Sequence, residues 1–341
     1  MLLILFFSTI VISLVLTYII EKTFLKYSLF IDEPKNRSTH LSPTPTAGGL
    51  SIIISFFIYI VALLNVYDLS ENVFFYLLIA LIPIVIIGLT DDFKEINVLT
   101  RLFVQFFSAS LIIYYFQISN NFFDTNEYSQ KSFLIIILSI ILSMWLMNLY
   151  NFMDGIDGYA SSECIFVTFS AGLIAYINDP SSLVYMFLIG LGLSNIGFLF
   201  RNWYPAKIFM GDTGSVSIGC ILAFFIFYSA SQSIISIYTW LILLSIFIAD
   251  STYTLVVRIV TKKNITKPHL THAFHMLAAN KNSQLFVVKT MLILNLIWVF
   301  PLAILSNIYM EYHILITFLT YSPLIVYLIR IGAGLEYNKS I

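Results

Sequence analysis

The sequence is short of charge. Lys, Arg, Asp and Glu together make up 10% of its 341 residues, whereas soluble proteins average about 25%. Apolar residues make up 59%, and the mean hydropathy is +0.92. A chain with so few charged groups cannot cover a water-soluble globule of this size, which indicates a protein embedded in a lipid bilayer.

The sequence also has almost no net charge and only two cysteines. A formal net charge of −1 excludes the clustered basic surface through which nucleic-acid-binding proteins gain their affinity. The two cysteines, Cys164 and Cys220, lie in apolar stretches, so neither a disulfide framework nor a cysteine metal site is expected. Internal repeats, low-complexity tracts and soluble linkers are not apparent, and the sequence predicts a single membrane domain over residues 1–341.

Apolar runs follow one another along most of the chain. A helix needs about 20 mostly apolar residues to cross a hydrocarbon layer about 30 Å thick. The first run lacks a basic n-region and a small-residue cleavage site, so it is interpreted as a retained helix. The predicted fold class is all-α, a polytopic membrane protein with about eleven transmembrane helices. Their approximate limits are 2–20, 47–66, 73–90, 101–117, 133–150, 158–178, 183–200, 215–230, 233–257, 285–307 and 312–332.

The basic residues give this arrangement an orientation. Sixteen of the 17 Lys and Arg residues fall on one side of the eleven helices, and Lys131 alone falls on the other. The positive-inside rule then places the N-terminus outside and the C-terminus in the cytoplasm. Five polar clusters fall in the loops of the basic, cytoplasmic side.

The first cluster is the loop 32–49, which runs through Thr44 and Thr46 to Gly48 and Gly49. Its prolines keep the chain extended, and the two glycines allow close backbone approach at a helix N-terminus, where anions are favoured. The alternative is a rigid turn that only starts a helix.

The second cluster contains the adjacent acids Asp91 and Asp92. Two neighbouring carboxylates at a membrane boundary repel each other unless a cation or a proton lies between them. The pair suits a divalent metal or a general base. Two solvated carboxylates in an ordinary loop are the alternative.

The third cluster combines Asn148 and Asn151 with Asp154 and Asp157. The two asparagines are three residues apart and share a helix face, and both acids are followed by glycine. Four polar groups at the hydrocarbon edge are costly to desolvate without partners. A helix cap explains one of them but not four, which indicates a binding or catalytic site.

The fourth cluster reads Phe209-Met-Gly-Asp212-Thr-Gly-Ser215. Asp212 offers hard oxygen ligands to Mg²⁺, and the glycines let a diphosphate approach the backbone. The same pattern also suits an ordinary helix N-cap.

The fifth cluster contains His269, His272 and His275 at three-residue spacing, next to the Lys-rich segment 262–267. Without cysteine or a nearby carboxylate in sequence, a zinc site is not favoured. The cluster is interpreted as a phosphate-contacting surface. A basic segment drawn to anionic lipid is the alternative.

Two acids lie inside predicted helices. Glu163 and Asp250 are both off-centre in their spans, and Asp250 lies eight residues before Arg258. Each fits either a buried contact between helices or the lining of a cavity. The sequence assigns neither a role.

Together these motifs resemble the polyprenyl-phosphate N-acetylhexosamine-1-phosphate transferases, a group that includes phospho-MurNAc-pentapeptide translocase and the GlcNAc-1-phosphate transferases of envelope polymers. They occur in the order of that family between residues 32 and 277. The residues that carry the resemblance are Thr44-Pro-x-x-Gly-Gly, Asp91-Asp92, Asn148-x-x-Asn151-x-x-Asp154-Gly-x-Asp157-Gly and Phe209-Met-Gly-Asp212-x-Gly-Ser215.

The resemblance implies a reaction. A sugar 1-phosphate passes from a UDP-N-acetylhexosamine to undecaprenyl phosphate, UMP is released, and a lipid diphosphate-sugar remains. The expected place is the cytoplasmic face of a bacterial inner membrane, at the first membrane step of O-antigen or other envelope polysaccharide synthesis. A long isoprenoid requires a bilayer and a nucleotide sugar requires cytoplasmic loops, so the reading of the residues agrees. Both phosphates are anionic, and Mg²⁺ with basic side chains would offset their repulsion.

The resemblance also implies residue roles. Asp212 is expected to ligate Mg²⁺, with Mn²⁺ as a substitute, and Asp92 to support the metal or its water shell. Asp91 is expected to deprotonate or orient the lipid phosphate. Direct attack, an aspartyl intermediate and a homodimer all stay open. The expected contacts of the nucleotide sugar are Thr44, Thr46, Asn148, Asn151, Asp154 and Asp157, the latter two counted as catalytic, with Phe209 on uracil and His269 and His272 on the diphosphate or sugar.

One departure from the family pattern bears on the donor. Many members carry adjacent histidines in the last cytoplasmic loop, whereas here His269 and His272 are separated by Leu-Thr. This spacing looks like the subgroup that transfers 6-deoxy-N-acetylhexosamines such as FucNAc or QuiNAc. GlcNAc stays as the alternative donor sugar.

Two other protein classes share parts of the pattern. The CDP-alcohol phosphotransferases need Asp-x-x-Asp-Gly-x-x-Ala-Arg, but Asp157-Gly158 is followed by Tyr-Ala-Ser-Ser-Glu, with no arginine. A transporter would gather polar groups near the bilayer midplane on broken helices, often in two related halves. Here the polar groups gather at one interface, and the transporter is the second-ranked function.

Overall fold

The computed structural model describes residues 1–34, 42–67, 73–120, 130–264 and 269–336; Lys267 and the middle of the loop 32–49 lie outside these ranges. The described residues are mainly helical, which confirms the predicted all-α class. The helices are α1 Leu2–Tyr27, α2 Gly49–Val66, α3 Val73–Phe93, α4 Val98–Asn120, α5 Gln130–Phe152, α6 Tyr159–Asn178, α7 Val184–Asn202, α8 Gly211–Ser231, α9 Ile237–Leu243, α10 Ser245–Val260, α11 Ala273–Lys281, α12 Gln284–Leu294, α13 Phe300–Ile308 and α14 His313–Ile331.

The number of membrane spans agrees with the sequence. Ten helices within the described ranges are long and apolar enough to cross a bilayer, with α12, the π turn Asn295–Val299 and α13 counted as one. The pair α9 and α10 gives an eleventh span if it is counted as one. The predicted helix over 233–257 is not straight, because α9 and α10 meet at an angle of 77°.

Helix α8 is the axis of the bundle. Within their apolar windows, 94% of the residues of α8 are buried, against 17% for α1 and 11% for α14. The two outer helices therefore present apolar side chains to the surroundings, as lipid-facing helices do. The beginning of α8, which carries Asp212, lies at one end of this buried axis.

Small residues bring the beginning of α8 against two neighbouring helices. A Cβ on Gly49 of α2 would overlap the backbone of Gly214, and a Cβ on Gly88 of α3 would lie 2.6 Å from the Cα of Thr213. Glycine at such contacts lets helix backbones approach closely in a membrane bundle. The first turn of α8 is therefore held against the start of α2 and the end of α3.

The loop before α2 is joined to the loop before α8. Strand β1 Ile31–Asp32 pairs antiparallel with strand β2 Thr44–Pro45. The N–H of Phe209 donates to the carbonyl of Pro45 at 2.8 Å, and the N–H of Gly48 donates to the carbonyl of Phe209 at 2.9 Å. These hydrogen bonds place the first and fourth sequence clusters side by side.

Candidate active site

A polar cavity of about 710 Å³ opens where α3 and α5 end and α6 and α8 begin. Thr44, Asp91, Asn148 and His272 do not line it. The predicted site residues that line it are Thr46, Asp92, Asn151, Asp154, Asp157, Phe209, Asp212 and His269. Five sequence clusters, spread over more than 200 residues, thus meet at one end of the helix bundle.

Asp212 occupies the first turn of α8 and is held by α5. The side-chain amide of Asn151 donates to Oδ1 of Asp212 at 2.7 Å and to the hydroxyl of Ser215 at 3.1 Å. Because Asn151 lies on the last turn of α5 and Ser215 is one turn beyond Gly211, this amide fixes the third cluster against the fourth. The carboxylate of Asp212 is oriented before any substrate arrives.

Arg101 of α4 bridges the second and fourth clusters. One guanidinium nitrogen, Nη1, lies 2.9 Å from Oδ2 of Asp91 and 3.0 Å from Oδ2 of Asp212. The other oxygen of Asp91 accepts the N–H of Ile96 at 2.6 Å. The side chain of Asp91 is 11% exposed and that of Asp212 is 25% exposed, so Asp212 is the more accessible of the two acids.

Asp92 acts as the N-terminal cap of α8 from another helix. Its two carboxylate oxygens accept the N–H groups of Asp212 at 2.9 Å and of Thr213 at 3.0 Å, and also the hydroxyl of Thr213 at 2.6 Å. Gly211 permits this approach, since a Cβ there would lie 2.6 Å from Asp92 and its φ is +71°. A carboxylate at a helix N-terminus satisfies free N–H groups and interacts favourably with the helix dipole.

The loop between α5 and α6 supplies two further carboxylates. Burial raises the pKa of Asp154 well above its usual range, and the charges of Asp212, Asp92 and Asp157 raise it further. Among the described residues, no hydrogen bond to the Asp154 carboxylate is found. Asp154 is thus an acid in need of a cation or a proton.

Asp157 and Asn202 join this loop to its neighbours. The carboxylate of Asp157 accepts the N–H of Ala206 at 2.9 Å. Asn202 accepts the N–H of Gly158 at 3.1 Å and donates to the carbonyl of Ile208 at 3.0 Å. The amide of Asn202 therefore holds the Asp-Gly loop against the segment that carries Phe209.

Residues 269–275, here called the histidine segment, are anchored by Asp250. This acid of α10 accepts the N–H groups of Ala273 at 3.0 Å and Phe274 at 3.1 Å, and its Oδ1 lies 3.3 Å from Nδ1 of His272. It thereby caps α11 and orients His272. Burial lowers the pKa of His269 to about 4, with a smaller contribution from the charge of His272.

Two of the predicted substrate contacts are engaged elsewhere. Thr44 is buried in strand β2, and its hydroxyl donates to the carbonyl of Ser42 at 3.0 Å. Asn148 donates to the side chain of Gln105 at 2.6 Å. Glu163, which the sequence left unassigned, accepts a hydrogen bond from Asn295 inside the bundle. The contact of Thr44 is local, whereas those of Asn148 and Glu163 join helices, and none of the three residues lines the cavity.

In the described part of the chain, the cavity offers carboxylates but no complete metal site. Within the described ranges, no group of three or more His, Cys, Asp or Glu residues is arranged so that it could hold a metal ion by itself. Mg²⁺ is usually held by one or two carboxylates together with substrate phosphates and water. Asp212, which is accessible, and Asp154, which has no hydrogen bond within those ranges, supply two such carboxylates.

Sequence reasoning did not assign the site roles of Arg101, Asn202 and Asp250. Asp250 is singled out from the sequence as an acid inside a predicted helix but receives no role, and Arg101 could have been identified in the same way, because charges within or next to apolar helices are costly unless paired. Asn202 offered no comparable signal, because a single amide at a helix end is common. Its role depends on contacts with residues more than 40 positions away.

Comparisons with known proteins agree with the motif pattern. The sequence model of "Glycosyl transferase family 4" matches residues 74–230. The "Probable undecaprenyl-phosphate N-acetylglucosaminyl 1-phosphate transferase" of Bacillus subtilis (strain 168) is 28% identical over 272 residues, which cover 78% of this chain and 74% of that protein. The "Phospho-N-acetylmuramoyl-pentapeptide-transferase" of Prochlorococcus marinus (strain MIT 9312) is 32% identical over 250 residues, which cover 68% of this chain and 67% of that protein.

Proposed function

The chain belongs to glycosyl transferase family 4, and from that membership we propose that it transfers an N-acetylhexosamine 1-phosphate from a UDP-sugar to undecaprenyl phosphate, with release of UMP. At the level of the family, it is a membrane enzyme that transfers a phosphosugar to a polyprenyl phosphate. The relatives' names give the acceptor as undecaprenyl phosphate in one case and the sugar as a MurNAc-pentapeptide or GlcNAc.

The convergence of Asp212, Asp154 and Arg101 is the observation that carries the proposal. Carboxylates from α8 and from the loop before α6 line one polar cavity, and a guanidinium from α4 contacts Asp212. This combination can hold a cation and two phosphate groups at once. Its place at the ends of long apolar helices suits a lipid substrate with a charged headgroup.

The bond changes follow from the substrates. An oxygen of the lipid phosphate attacks the phosphorus that carries the sugar. The bond from this phosphorus to the oxygen that bridges the two phosphates of UDP breaks, and the electron pair leaves with UMP. In the alternative route a carboxylate of the site attacks first and is then displaced by the lipid phosphate.

Each carboxylate has a separate task in this proposal. Asp212 and Asp154 would hold Mg²⁺, which when bound neutralises phosphate charge and polarises the phosphoryl oxygens. Asp92 already accepts three hydrogen bonds from Asp212 and Thr213, so its support for the metal acts through the placement of Asp212. Both oxygens of Asp91 are also occupied, which favours a role in orienting Arg101 towards the phosphates.

The donor would lie across the rest of the cavity. Phe209 offers an aromatic face for uracil, and Thr46 and Asp157 offer polar groups along the same wall. The charge of His269 is suppressed at neutral pH, because burial lowers its pKa to about 4. A neutral imidazole can donate one hydrogen bond and accept another, which suits a sugar hydroxyl or an N-acetyl group. The spacing of His269 and His272 supports a 6-deoxy-N-acetylhexosamine, with GlcNAc as the alternative.

The cavity is proposed to face the cytoplasm of a bacterial inner membrane. The support is the distribution of basic residues, because the eleven spans read from the sequence put sixteen of the 17 Lys and Arg residues on the side that carries the polar clusters. Cys164 and Cys220 are both buried, so a cysteine placed at the exposed Lys94 can be labelled without background. Labelling by an impermeant thiol reagent in inverted membrane vesicles, and not in intact cells, is expected.

The reaction is tested by incubating the purified protein with undecaprenyl phosphate, Mg²⁺ and a panel of UDP-sugars, and by measuring released UMP together with the lipid product. The expected result is UMP release that requires the lipid and one class of N-acetylhexosamine. A protein that releases no UMP with any donor, but moves a solute into proteoliposomes, would be a transporter. The polar cavity at one end of the bundle, away from the midplane, does not favour that function.

A further inference from the structure

The chain that follows the last helix packs under the histidine segment. Helix α14 ends at Ile331, and the residues Gly332–Glu336 are here called the C-terminal hook. The N–H of Gly334 donates to the backbone carbonyl of Thr271 at 2.8 Å. Ala333, 1% exposed, lies in a small apolar cluster with Ala273 of α11. The hook thus contacts the segment that carries His269 and His272 through its backbone and through its side chains.

Gly334 has to be glycine for this contact to form. Its φ is +83°, a conformation that residues with a side chain rarely adopt. A Cβ at this position would lie 2.7 Å from the Cβ of Val257 and 2.9 Å from the carbonyl oxygen of Thr254. Both neighbours belong to α10. The hook is therefore wedged between α10 and the histidine segment.

Thr271 contacts both the hook and His269. Its hydroxyl lies 3.1 Å from Nδ1 of His269 and accepts a hydrogen bond from Nη1 of Arg258 at 3.3 Å. Arg258 is itself buried, and its Nη2 donates to the carbonyl of Asn264 at 2.6 Å. Thr271 is held from two sides, by the hook at its carbonyl and by Arg258 at its hydroxyl.

We propose that the C-terminal hook positions the histidine segment for donor binding, with Gly334 and Thr271 as positioning residues. The inference rests on the proposed function, because it takes His269 as a contact of the UDP-sugar. Neither Gly334 nor Thr271 lines the cavity. Their effect on catalysis acts through the placement of the His269 ring.

Two glycines at the end of the same helix give a matched pair of variants. Gly332 has a φ of +74°, close to that of Gly334, but the nearest atom to a Cβ there is 3.9 Å away. Gly334→Ala and Gly332→Ala therefore carry similar backbone strain, and only the former collides with α10. Gly334→Ala is expected to lower kcat/KM for the UDP-sugar about 10- to 100-fold, and Gly332→Ala to leave it within a few-fold of the wild-type value. Equal effects of the two variants would overturn the proposal.

A double-mutant cycle separates positioning from general damage. If the hook acts through His269, Gly334→Ala should cost little further activity in a His269→Ala background, because the residue that it positions is already gone. Additive losses would overturn the proposal. Thr271→Val is the second single variant, and it serves in the same cycle if Gly334→Ala does not yield folded protein. Thr271→Val is likewise expected to cost little further activity in the His269→Ala background.

Hydrogen exchange tests the hook without any substrate. The backbone amides of residues 269–275 should exchange faster in Gly334→Ala than in Gly332→Ala and in the wild-type protein, since local opening follows lost contacts. Unchanged exchange in an enzyme that transfers the phosphosugar would overturn the hook and leave the proposed function standing. If the wild-type protein transfers no phosphosugar, the proposed function fails, and exchange alone decides whether the hook holds the segment.

Discussion

Nη1 of Arg101 lies 3.0 Å from Oδ2 of Asp212, although 111 positions separate the two residues. The same nitrogen contacts Asp91 at 2.9 Å. A guanidinium between two carboxylates offsets part of their negative charge, and a less negative cavity lets anionic substrates approach. Arg101 is therefore expected to contribute to binding and to the stabilisation of charge on the transferred phosphate.

Replacing Arg101 by glutamine should lower kcat about 10²- to 10³-fold, the usual cost of removing one group that stabilises developing charge. Arg101→Lys should retain more activity than Arg101→Gln, because it keeps the charge but not the planar guanidinium whose Nη1 contacts both acids. UMP release measures both variants. The control is Arg330→Gln, an exposed position near the end of α14, and comparable turnover by Arg101→Gln and this control would contradict the role.

Replacing Asp212 by asparagine should abolish transfer with little loss of folded protein. Asparagine has the same shape and still accepts a hydrogen bond from Asn151, but it loses the negative charge that a hard divalent cation requires. Turnover should also stop on removal of Mg²⁺ with EDTA and return on addition of Mg²⁺ or Mn²⁺. Wild-type turnover by Asp212→Asn at low Mg²⁺ would remove this residue from the metal-binding role.

Replacing Asp92 by alanine should destabilise the protein by about 1–2 kcal/mol, the usual cost of losing an N-terminal cap. The variant leaves the N–H groups of Asp212 and Thr213 without their acceptor. Thermal unfolding in detergent checks the loss. Glu95→Ala, at an exposed position just after the end of α3, is the control, and equal unfolding temperatures for the two variants would argue against the cap.

Stability should fall on acidification because His275, half-buried on the cavity lining, is held without charge. Burial lowers the pKa of His275 to about 3, whereas an unfolded histidine titrates near 6.5. Between these values the unfolded chain binds more protons than the folded protein. The free energy of unfolding is therefore highest above pH 6.5 and decreases as the pH drops below 6.5. The slope is at most about 1.4 kcal/mol per pH unit.

The unfolding temperature at pH 7.5, 6.5 and 5.5 measures this effect. His275→Asn should lose less stability over the same interval than the wild-type protein does, because asparagine does not titrate. His269 contributes in the same direction, since burial lowers its pKa to about 4. Identical pH profiles for His275→Asn and the wild-type protein would show that the imidazole of His275 is not the cause.

The bundle could largely be predicted from the sequence because apolar length determines membrane-spanning helices. The exception is the segment 233–257, where α9 and α10 meet at 77° around Leu244. Neither proline nor glycine occurs in this segment, so local sequence gives no signal for the bend. The bend places Asp250 beside Ala273 and His272. We infer that such tertiary contacts, and not the local sequence, determine the bend.

The sequence was sufficient to predict many of the residues of the site, but not which contact each of them makes. Asp91 and Asp92 are adjacent and chemically identical, yet the structure pairs Asp91 with Arg101 and uses Asp92 to cap α8. Which of the two carboxylates contacts Arg101 and which caps α8 depends on where α3 ends relative to α8. Asp250 posed the same difficulty, because the N–H groups that it accepts lie 23 and 24 residues further along the chain.

The contact between Gly49 and Gly214 fixes the backbone next to Asp212, whereas the segment 269–275 on the cavity lining is held by hydrogen bonds. Beside Asp212 the backbones of α2 and α8 are in contact, so a side chain at either glycine would collide with the facing helix. The wall that carries His269 is one short stretch of chain, held by hydrogen bonds to Asp250, Arg258 and Gly334. If the proposed function holds, we therefore expect the choice of sugar to change through substitutions in the segment 269–275, while the backbone next to Asp212 keeps its shape.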